Sequence, residues 1–478
     1  MTSIYQNKDL LNNTLDFAAQ NCEKDTSSLL LGRDKWKDID IDLAINCIES
    51  RKKLKGKVPQ WYQNNNLVLP LKLSAEQCSS SESALYKASL ARKISPESFR
   101  LADLTGGLGV DSWFFSKQAE SVLYCEMKPE LCSAAEHNFS ILGAGNIRVQ
   151  NCMIVPSAQT PAAAQTPATA QTSATEPSSP FALSATPAEI LEDFRPDIVY
   201  ADPARRSESG KKVFLIEECA PDILTLKDEI FEYSPHILLK LSPMADITMV
   251  CNRLGAQCRQ VHVVSVAGEC KELLIWMDRQ WSGGYEIVVA SLGKGGCTTF
   301  GFTPQEEKTV CAGIISANAI SHIREEMDVC LFEPGKAMMK AGAFNLMSAR
   351  GGMFKLGQST HYYIGPRKQC SEYANLGKIF SIERCGMMDK HTLKEIALLY
   401  PGADITARNL PADTATYRKI IEQQRRKNAR KVTTDAAASQ AFHIFCLKSD
   451  RAGALLIVGK RISSDVQDEE GPEQLSQD

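Results

Sequence analysis

The sequence predicts an α/β protein built on a doubly wound sheet of seven strands, most of them parallel. Seven short runs between residues 98 and 277 are apolar through their centres, as strands buried on both faces are. Helical segments separate the first six runs, an alternation typical of a doubly wound sheet. The seventh run follows the sixth too closely for a helical crossover, so we expect it to be antiparallel. The predicted strands are 98–106, 120–127, 146–151, 196–203, 236–243, 261–268 and 272–277.

Regions of different pattern surround this sheet. Helical periodicity precedes it and ends at a proline, Pro70, which predicts a group of N-terminal helices. After Arg279, short strand-like runs mix with helical segments, which predicts two small α+β domains. The predicted regions are N-terminal helices over 1–75, the α/β domain over 76–279, and α+β domains over 280–370 and 371–462.

Two segments are predicted to be disordered. Residues 156–187 hold six prolines, one charged residue (Glu176) and repeats of the type AQTPAA with a period of six. Such a segment has no apolar face to bury, so it is expected to be a low-complexity insertion that the fold does not need. The tail 463–478 carries six acidic residues and no basic ones, which also favours disorder.

Composition excludes several classes of protein. With 54 Lys and Arg against 57 Asp and Glu, the formal net charge of −3 excludes a polybasic protein. The 16 cysteines contain no C-x-x-C pair, which argues against zinc ribbons and iron–sulfur clusters, so no metal is expected. The cysteines are scattered through apolar runs, the start lacks the pattern of a signal peptide, and no apolar run approaches 18 residues. The sequence therefore predicts a soluble cytoplasmic protein with no membrane partner.

A glycine-rich turn follows the first predicted strand. Thr105-Gly106-Gly107-Leu108-Gly109 lies between that strand and a helical segment, and glycines there let a ligand approach the backbone closely. An ordinary strand-to-helix turn would have the same appearance. A dinucleotide fingerprint fits poorly, because Ser112 stands where its third glycine belongs.

The spacing Asp103-x-Thr105-x-Gly107-x-Gly109 resembles motif I of class I S-adenosylmethionine-dependent methyltransferases. In that family the acidic residue ends the first strand and faces the methionine moiety, and the glycines line the cofactor. The resemblance therefore implies that Asp103, Thr105, Gly107 and Gly109 bind S-adenosylmethionine.

Two more strand ends belong to the predicted cofactor site. Glu126 ends the second strand, where a carboxylate can accept hydrogen bonds from both ribose hydroxyls, although a solvated strand-end carboxylate is the other interpretation. Asn151 ends the third strand, where the family usually has an Asp that contacts the adenine amino group. An amide oxygen can also accept that hydrogen bond, so Asn151 is the candidate adenine contact.

The fourth predicted strand carries the candidate catalytic residues. The run IVYADPARR places Asp202, Pro203 and Arg205 at the carboxyl end of a strand that the doubly wound order puts beside the first. It resembles motif IV of amino-methyltransferases, Asp/Asn-Pro-Pro-aromatic. Such a strand end can hold an exocyclic amine by its hydrogens, with the lone pair aimed at the methyl group. Arg205 replaces the aromatic residue and would stack on the substrate or pair with a phosphate.

A wider set of motifs resembles one bacterial family, the THUMP-like-domain class I methyltransferases, over about 76–462. The resemblance implies a doubly wound, seven-stranded class I methyltransferase (Rossmann-like) domain, then a ferredoxin-like domain over 280–370 and a THUMP-like domain over 371–462. True THUMP domains bind RNA, so it also implies an RNA substrate. The motifs are QCSSSESALYKA, DLTGGLGVD, AAEHN, YADPARRS, LKLSP, CKELLIWM and EPGKAMMKAGAF.

A basic segment is consistent with an RNA partner. Residues 418–431 hold seven basic residues against Glu422 alone, enough to neutralise several phosphates. A solvated helix face would show the same pattern.

The sequence thus predicts a methyltransferase that uses S-adenosylmethionine to methylate an exocyclic amine of a structured RNA, either tRNA or rRNA. Two alternatives stay open. One is a protein or small-molecule methyltransferase. The other is a non-catalytic RNA-binding protein whose site has decayed, which the residues Asn151-Cys152 make conceivable.

Overall fold

The computed structural model describes residues 2–159, 183–205, 216–293, 295–316, 319, 328–427 and 441–462. The predicted acidic tail and most of the predicted insertion lie outside these residues. Within them the chain forms two compact units. The first comprises Met1–His262 with Lys271–Tyr285, and the second comprises Val263–Cys270 with Glu286–Asp478.

Helices form the N-terminal part of the first unit, as the periodicity predicts. Side chains of Asn7, Asp25, Asp40 and Ser80 cap four of them by accepting a hydrogen bond from a backbone N–H in the first turn. The helices are α1 (Thr2–Gln6), α2 (Lys8–Gln20), α3 (Thr26–Leu31), α4 (Ile41–Leu54), α5 (Pro59–Tyr62), α6 (Lys72–Gln77) and α7 (Ser81–Ile94).

Each of the seven predicted strand segments contains a strand. In six of them the central residues are buried, which explains why the sequence shows short apolar runs instead of an alternating pattern. Strand β3 differs from the prediction, because Arg148 is exposed and Val149 and Gln150 are only partly buried. The seven are β1 (Arg100–Asp103), β2 (Ser121–Glu126), β3 (Ile147–Ile154), β5 (Ile198–Ala201), β8 (His236–Leu241), β9 (Cys258–Val266) and β10 (Glu269–Asp278). Three shorter strands accompany them: β4 (Leu183–Ala185), β6 (Ala204–Arg205) and β7 (Cys219–Ala220).

These strands follow the order β9-β10-β8-β5-β1-β2-β3-β4. The sheet therefore has more strands than the seven predicted, since β4 also pairs within it. Strand β1 is parallel to both of its neighbours, with Asp103 opposite Tyr124 of β2 and Tyr200 of β5. Strand β8 is parallel to β5 and antiparallel to β10, so the predicted direction of the seventh strand is correct. The carboxyl ends of β1, β2, β3, β5 and β8 therefore meet at one edge of the sheet, where ligands of doubly wound folds bind.

Helices connect these strands. They are α8 (Val110–Ser116), α9 (Pro129–Ile141), α10 (Pro187–Leu191), α11 (Ile223–Tyr233) and α12 (Ile247–Leu254). Helix α8 begins directly at the glycine-rich turn, so residues of that turn and of the first helical turn lie at the same edge as the strand ends.

The structure corrects the C-terminal end of the predicted insertion. Residues Leu183–Ala185 form β4, which pairs in parallel with Cys152–Ile154 of β3. Thr186 and Glu189 then cap α10 reciprocally, each side chain accepting a hydrogen bond from the other residue's backbone N–H. The sequence missed this because β4 is only three residues long and both Leu183 and Ser184 are exposed, which leaves no apolar pattern to recognise.

The second unit contains a seven-stranded sheet in the order β14-β15-β13-β16-β19-β18-β17. Its strands are β13 (Val329–Pro334), β14 (Phe354–Lys355), β15 (Tyr363–Pro366), β16 (Gly377–Met387), β17 (Asp404–Arg408), β18 (Phe442–Ser449) and β19 (Gly453–Ile462). Strand β13 pairs with both β15 and β16. Strands from both sides of the predicted boundary at 370/371 thus belong to one sheet.

Successive residues of β18 and β19 supply two different cores because side chains alternate across a strand. Leu455 and Ile457 pack with Phe380 and Phe445 on one face. Leu456 and Val458 pack on the other face against α17 (Lys390–Leu399) and α18 (Thr414–Lys427).

A hairpin and four helices complete the second unit. They are the antiparallel hairpin β11 (Glu286–Gly293) and β12 (Gly296–Phe302) and the helices α13 (Pro304–Thr309), α14 (Lys336–Ala341), α15 (Phe344–Gly351) and α16 (Arg367–Glu372). Among the helices described in either unit, none combines the length and apolar character needed to cross a membrane.

Candidate functional site

The glycine-rich turn is shaped by a close approach to the second strand. A Cβ on Gly106 would lie 2.1 Å from Cε2 of Tyr124, so no side chain fits there. Gly107 and Gly109 have φ angles of +56° and +91°, which favour glycine. A Cβ on Gly107 would meet only the carbonyl oxygen of Thr105, at 3.8 Å. The backbone of Gly107 is therefore open to a ligand, whereas Gly106 is required for packing.

Asp103 ends β1 with its carboxylate turned into the protein. The side chain is buried, accepting hydrogen bonds from the Ser112 hydroxyl at 2.5 Å and from the backbone N–H of Thr105 at 3.0 Å. Burial raises the pKa of Asp103 to about 7, although these two hydrogen bonds act to lower it. The carboxylates of Asp111 and Asp202 raise it further. Because its pKa lies near neutrality, Asp103 can gain or lose a proton when a charged ligand binds.

Thr105 joins the ends of two neighbouring strands. Its hydroxyl oxygen accepts a hydrogen bond from the backbone N–H of Asp202 at 2.7 Å, and it lies 3.5 Å from Oδ1 of Asp103. The backbone N–H of Leu104 in turn donates to the carbonyl oxygen of Tyr200. The position of Asp202 is therefore set by the turn that contains the open glycine.

Asp202 extends from the end of β5 toward the end of β8. Its Oδ2 forms an ion pair with the ammonium group of Lys240, while 38% of the Asp202 side chain remains exposed. Pro203 is buried, and Arg205 follows in β6, which pairs with β7. The Arg205 side chain lies outside the described part of the chain, so its predicted contact with substrate stays a prediction.

Glu126 lies on the other side of the glycine-rich turn. Its two carboxylate oxygens accept hydrogen bonds from the backbone N–H groups of Gly107 and Lys128, both at 2.9 Å. Each oxygen keeps a second lone pair for a further donor. Glu126 therefore both holds the turn and remains able to accept a hydrogen bond from a ligand.

Asn151 is oriented by its amide nitrogen. The nitrogen donates to the backbone carbonyl oxygen of Glu126 at 2.8 Å and lies 3.3 Å from the sulfur of Cys132. These contacts leave the amide oxygen of Asn151 without a hydrogen-bond partner among the described residues. An amino group of a ligand could donate to that oxygen.

A buried charged network lies behind Asp202, and the sequence did not reveal it. Lys87 of α7 is completely buried, 2.8 Å from Asp111 and 3.5 Å from Glu272. It also donates to the hydroxyls of Ser79 and Tyr200, at 2.5 and 3.5 Å. These partners lie as far as 185 residues away in the sequence, so no local motif could have identified them.

The network places more negative than positive charge beside the glycine-rich turn. Burial acts to raise the pKa of Asp111, but Lys87 and Lys240 outweigh it, so the pKa is lowered and Asp111 stays ionised. Oδ1 of Asp111 is buried without a hydrogen-bond partner in the described part of the chain. Such an edge favours a cationic ligand.

The structure brings the candidate residues together in two connected groups. Thr105 contacts both Asp103 and Asp202, and Glu126 connects Gly107 to Asn151 through two hydrogen bonds. Among the described residues, no three His, Cys, Asp or Glu side chains are grouped so that they could hold a metal ion.

Comparisons with known proteins give a structural likeness that extends over nearly the whole chain. The chain superposes on a protein of Porphyromonas gingivalis W83, named provisionally as a methyltransferase, with a TM-score of 0.70 and 25% sequence identity. This likeness covers 95% of this chain and 99% of that one. A family of ferredoxin-like domains matches residues 331–369, within the predicted ferredoxin-like domain. No curated protein matches the sequence.

Other solved structures resemble only part of the chain. An rRNA methylase from Streptococcus thermophilus is 8% identical, with a TM-score of 0.26, over 40% of this chain and 94% of that one. A precorrin-6y C5,15-methyltransferase from Geobacter metallireducens GS-15 is 13% identical, with a TM-score of 0.25, over 44% and 91%. Likenesses this low carry no argument about function. The chain has a mixed α/β architecture with a ferredoxin-like domain, and its overall fold is that of the P. gingivalis protein.

Proposed function

We propose that this chain is an S-adenosylmethionine-dependent methyltransferase that methylates an exocyclic amine of a structured RNA, either tRNA or rRNA. The hydrogen bond from Asp202 to Thr105 carries the proposal, because it holds a strand-end carboxylate beside an open glycine turn. The likeness to the P. gingivalis protein, whose name assigns it provisionally to the methyltransferases, extends over nearly the whole chain and supports it.

The domain assignment is part of the same proposal. The strand order β3-β2-β1-β5-β8-β10-β9, with β10 antiparallel to β8, supports a class I methyltransferase domain over 76–279. The ferredoxin-like domain over 280–370 includes the matched residues 331–369, and we assign 371–462 as THUMP-like.

The residues at this edge fit S-adenosylmethionine. The open backbone at Gly107 leaves room for a ligand over the turn, whereas Gly109 lets the turn pack closely against Phe139. Glu126 would accept hydrogen bonds from the ribose hydroxyls, and the oxygen of Asn151 would accept one from the adenine amino group. The surplus of carboxylates at this edge, Asp103 among them, suits the positive charges of the methionine moiety.

Bound S-adenosylmethionine supplies an activated methyl group, so the protein's main task is to aim the acceptor. Asp202 would accept a hydrogen bond from the acceptor amine, and the backbone carbonyl at Pro203 would accept another. These contacts leave the nitrogen lone pair directed at the methyl carbon, at an approach distance of about 3–3.5 Å. The nitrogen would form its bond to the methyl carbon as the bond from that carbon to the sulfonium sulfur breaks, with S-adenosylhomocysteine as the leaving group. The methylated nitrogen then loses a proton to water, so no strong general base is needed.

An RNA substrate is proposed from the basic character of the second unit. Exposed Arg418, Lys419, Arg426 and Lys427 lie on α18, which carries a single acidic residue, Glu422. Such a helix can contact several phosphates. Residues 428–431 of the predicted basic segment lie outside the described residues. Arg205 is proposed to contact the RNA next to the acceptor amine.

A cytoplasmic location completes the proposal. Ten of the 16 cysteines are buried in the described part of the chain. Cysteines buried as small apolar side chains are typical of proteins that stay in a reducing compartment.

Two measurements test the proposed function. Calorimetry with S-adenosylmethionine should show binding, which a non-catalytic protein with a decayed site would not show. Mass spectrometry of RNA nucleosides from cells with and without the gene should then show one N-methylated nucleoside missing in the deletion, and purified protein should restore it. Cofactor binding with an unchanged nucleoside profile would overturn the RNA assignment and favour a protein or small-molecule substrate.

A further inference from the structure

Lys240 is a largely buried cation whose role the proposed cofactor site does not explain. Its side chain is 14% exposed and lies on β8, next to β5, the strand that Asp202 follows. Burial acts to lower the pKa of Lys240, but the carboxylates of Asp202, Glu272 and Asp111 outweigh it and raise the pKa. Lys240 therefore keeps its proton, and its ammonium group has three N–H donors.

Lys87 and Lys240 differ in the number of hydrogen-bond partners that their ammonium groups have. Lys87 has four polar partners, the side chains of Ser79, Asp111, Tyr200 and Glu272. Lys240, by contrast, has Asp202 as its hydrogen-bond partner within the described ranges, which leaves two of its donors uncommitted. On a largely buried cation, an uncommitted donor is available to a ligand, or to water in the absence of one.

We propose that Lys240 binds the substrate, donating a hydrogen bond to an acceptor atom beside the amine that is methylated. The inference rests on the proposed function and specifies which kind of amine the site would accept. Asp202 presents a hydrogen-bond acceptor and Lys240 presents a donor, side by side at the open end of the sheet. Together they match an amine whose neighbouring atom accepts a hydrogen bond.

The amino edge of a nucleobase has this arrangement. The exocyclic amines of adenine, cytosine and guanine each lie beside a ring nitrogen that accepts a hydrogen bond, so an extruded base can satisfy both residues at once. The alkyl amine of a lysine side chain has no such neighbour, so Lys240 disfavours it. A glutamine side-chain amide also has an acceptor beside its amine, but the basic face of α18 favours RNA.

The test compares two substitutions of Lys240. Lys240→Met removes the charge and donors at similar length, and Lys240→Arg keeps both. Lys72→Met, which removes a half-exposed lysine paired with Glu49, is the matched control. The assay measures transfer of labelled methyl groups from S-adenosylmethionine to total RNA from a strain lacking the gene, with nucleosides identified by mass spectrometry. Calorimetry measures cofactor affinity for each variant.

We expect Lys240→Met to lower kcat/KM for RNA by about 10- to 100-fold, the usual effect of losing a charged hydrogen bond. Cofactor affinity should change by less than about threefold, Lys240→Arg should recover part of the activity, and the control should match the wild type. A purely structural Lys240 would instead lower thermal stability and cofactor affinity together, and that result would overturn the inference.

The remaining outcomes separate this inference from the proposed function. If the wild type methylates an RNA amine and Lys240→Met does so equally well, Lys240 does not bind the substrate and the proposed function stands. If the wild type modifies glutamine amides of a protein fraction instead of RNA, the nucleobase assignment is wrong. If the wild type binds no S-adenosylmethionine, the proposed function fails and the inference fails with it.

Discussion

The backbone N–H of Asp202 donates a hydrogen bond to the Thr105 hydroxyl, 2.7 Å away across two neighbouring strand ends. The candidate catalytic strand is thereby tied to the candidate cofactor turn by one side chain. Because Thr105 lies directly before the glycines, a change at this residue should affect both parts of the site.

Thr105→Val should therefore destabilise the strand end. Valine has the same shape as threonine but lacks the hydroxyl, which leaves the Asp202 N–H without its acceptor at a cost of about 1–3 kcal/mol in unfolding free energy. Chemical denaturation measures this change, and Thr105→Ser, which keeps the oxygen, should lose much less. Equal stability of the valine variant and the wild type would show that this hydrogen bond contributes nothing.

Gly106→Ala should also destabilise the protein. The added Cβ would lie 2.1 Å from the Tyr124 ring, which is fully buried, so the turn or the ring must move. Such overpacking usually costs about 1–3 kcal/mol. The matched control is Gly145→Ala, since a Cβ there meets nothing within 4 Å. Thermal unfolding should separate the two variants, and similar melting temperatures would contradict the predicted clash.

The positions of the strands could be predicted from the sequence, whereas the contacts behind the site could not. Asp103, Glu126 and Asp202 each follow a short buried run, and such runs indicate strands whose polar ends meet at one edge. Lys87 lies within a helix, where a lysine normally faces solvent, and nothing local indicates its burial.

Two other features of the site also depend on contacts between residues that are distant in the sequence. Gly106 is required because its backbone packs against Tyr124, which lies on another strand. The spacing of residues within the turn does not reveal this contact, and it singles out Gly107 and Gly109 instead. Lys240 lies near the end of an apolar run, where a lysine is common and does not by itself indicate a site. Its ion pair with Asp202 forms because β5 and β8 are neighbours in the sheet, which the sequence does not specify residue by residue. Periodicity finds elements, but it does not specify which side chains meet across them.

Glu126→Gln should weaken binding of S-adenosylmethionine. A neutral amide loses charge-assisted hydrogen bonds to the ribose hydroxyls, and its NH₂ group would face a backbone N–H at Gly107 or Lys128. The expected loss is about 1.5–3 kcal/mol of binding free energy, measured by calorimetry. Glu136→Gln, on the exposed side of α9, is the control. Unchanged affinity in the Glu126 variant would remove this residue from the site.

Cofactor affinity should rise with pH through neutrality because of Asp103. Burial raises the pKa of Asp103 to about 7, and a cationic ligand favours the ionised carboxylate. Lowering the pH from 8 to 6 should therefore weaken binding of S-adenosylmethionine by about tenfold. In the absence of ligand, the free energy of unfolding should change with pH in the opposite direction. Because the pKa of Asp103 is raised in the folded protein, Asp103 stabilises the fold at low pH, and this contribution is lost as the pH rises from about 4 to 7.

Calorimetry across this pH range, with Asp103→Asn as the comparison, checks the assignment. The asparagine variant cannot ionise, so the part of the pH dependence that Asp103 causes should disappear. Asp193→Asn, on an exposed residue of the same unit, should keep the wild-type profile. If Asp103→Asn retains the full pH dependence, the titrating group lies elsewhere.

Asp202→Ala should separate binding from catalysis. The carboxylate is proposed to orient the acceptor amine and to touch the cofactor little, so S-adenosylmethionine should still bind within a few fold. Methyl transfer in a single turnover should fall by at least about a hundredfold, the usual effect of misplacing a reacting group by 1 Å. Asp228→Ala, which removes an exposed carboxylate from α11, should leave both quantities unchanged.

Asp202→Asn refines this test because the amide keeps an oxygen that can accept a hydrogen bond from the amine. It loses the ion pair with Lys240, whose pKa the Asp202 carboxylate helps to raise. An orienting role predicts partial activity for the asparagine variant and near-complete loss for the alanine variant, with similar cofactor affinities. Near-wild-type turnover of Asp202→Ala on the identified RNA would show that the acceptor amine is aligned without the Asp202 carboxylate. The end of this strand would then serve only the fold.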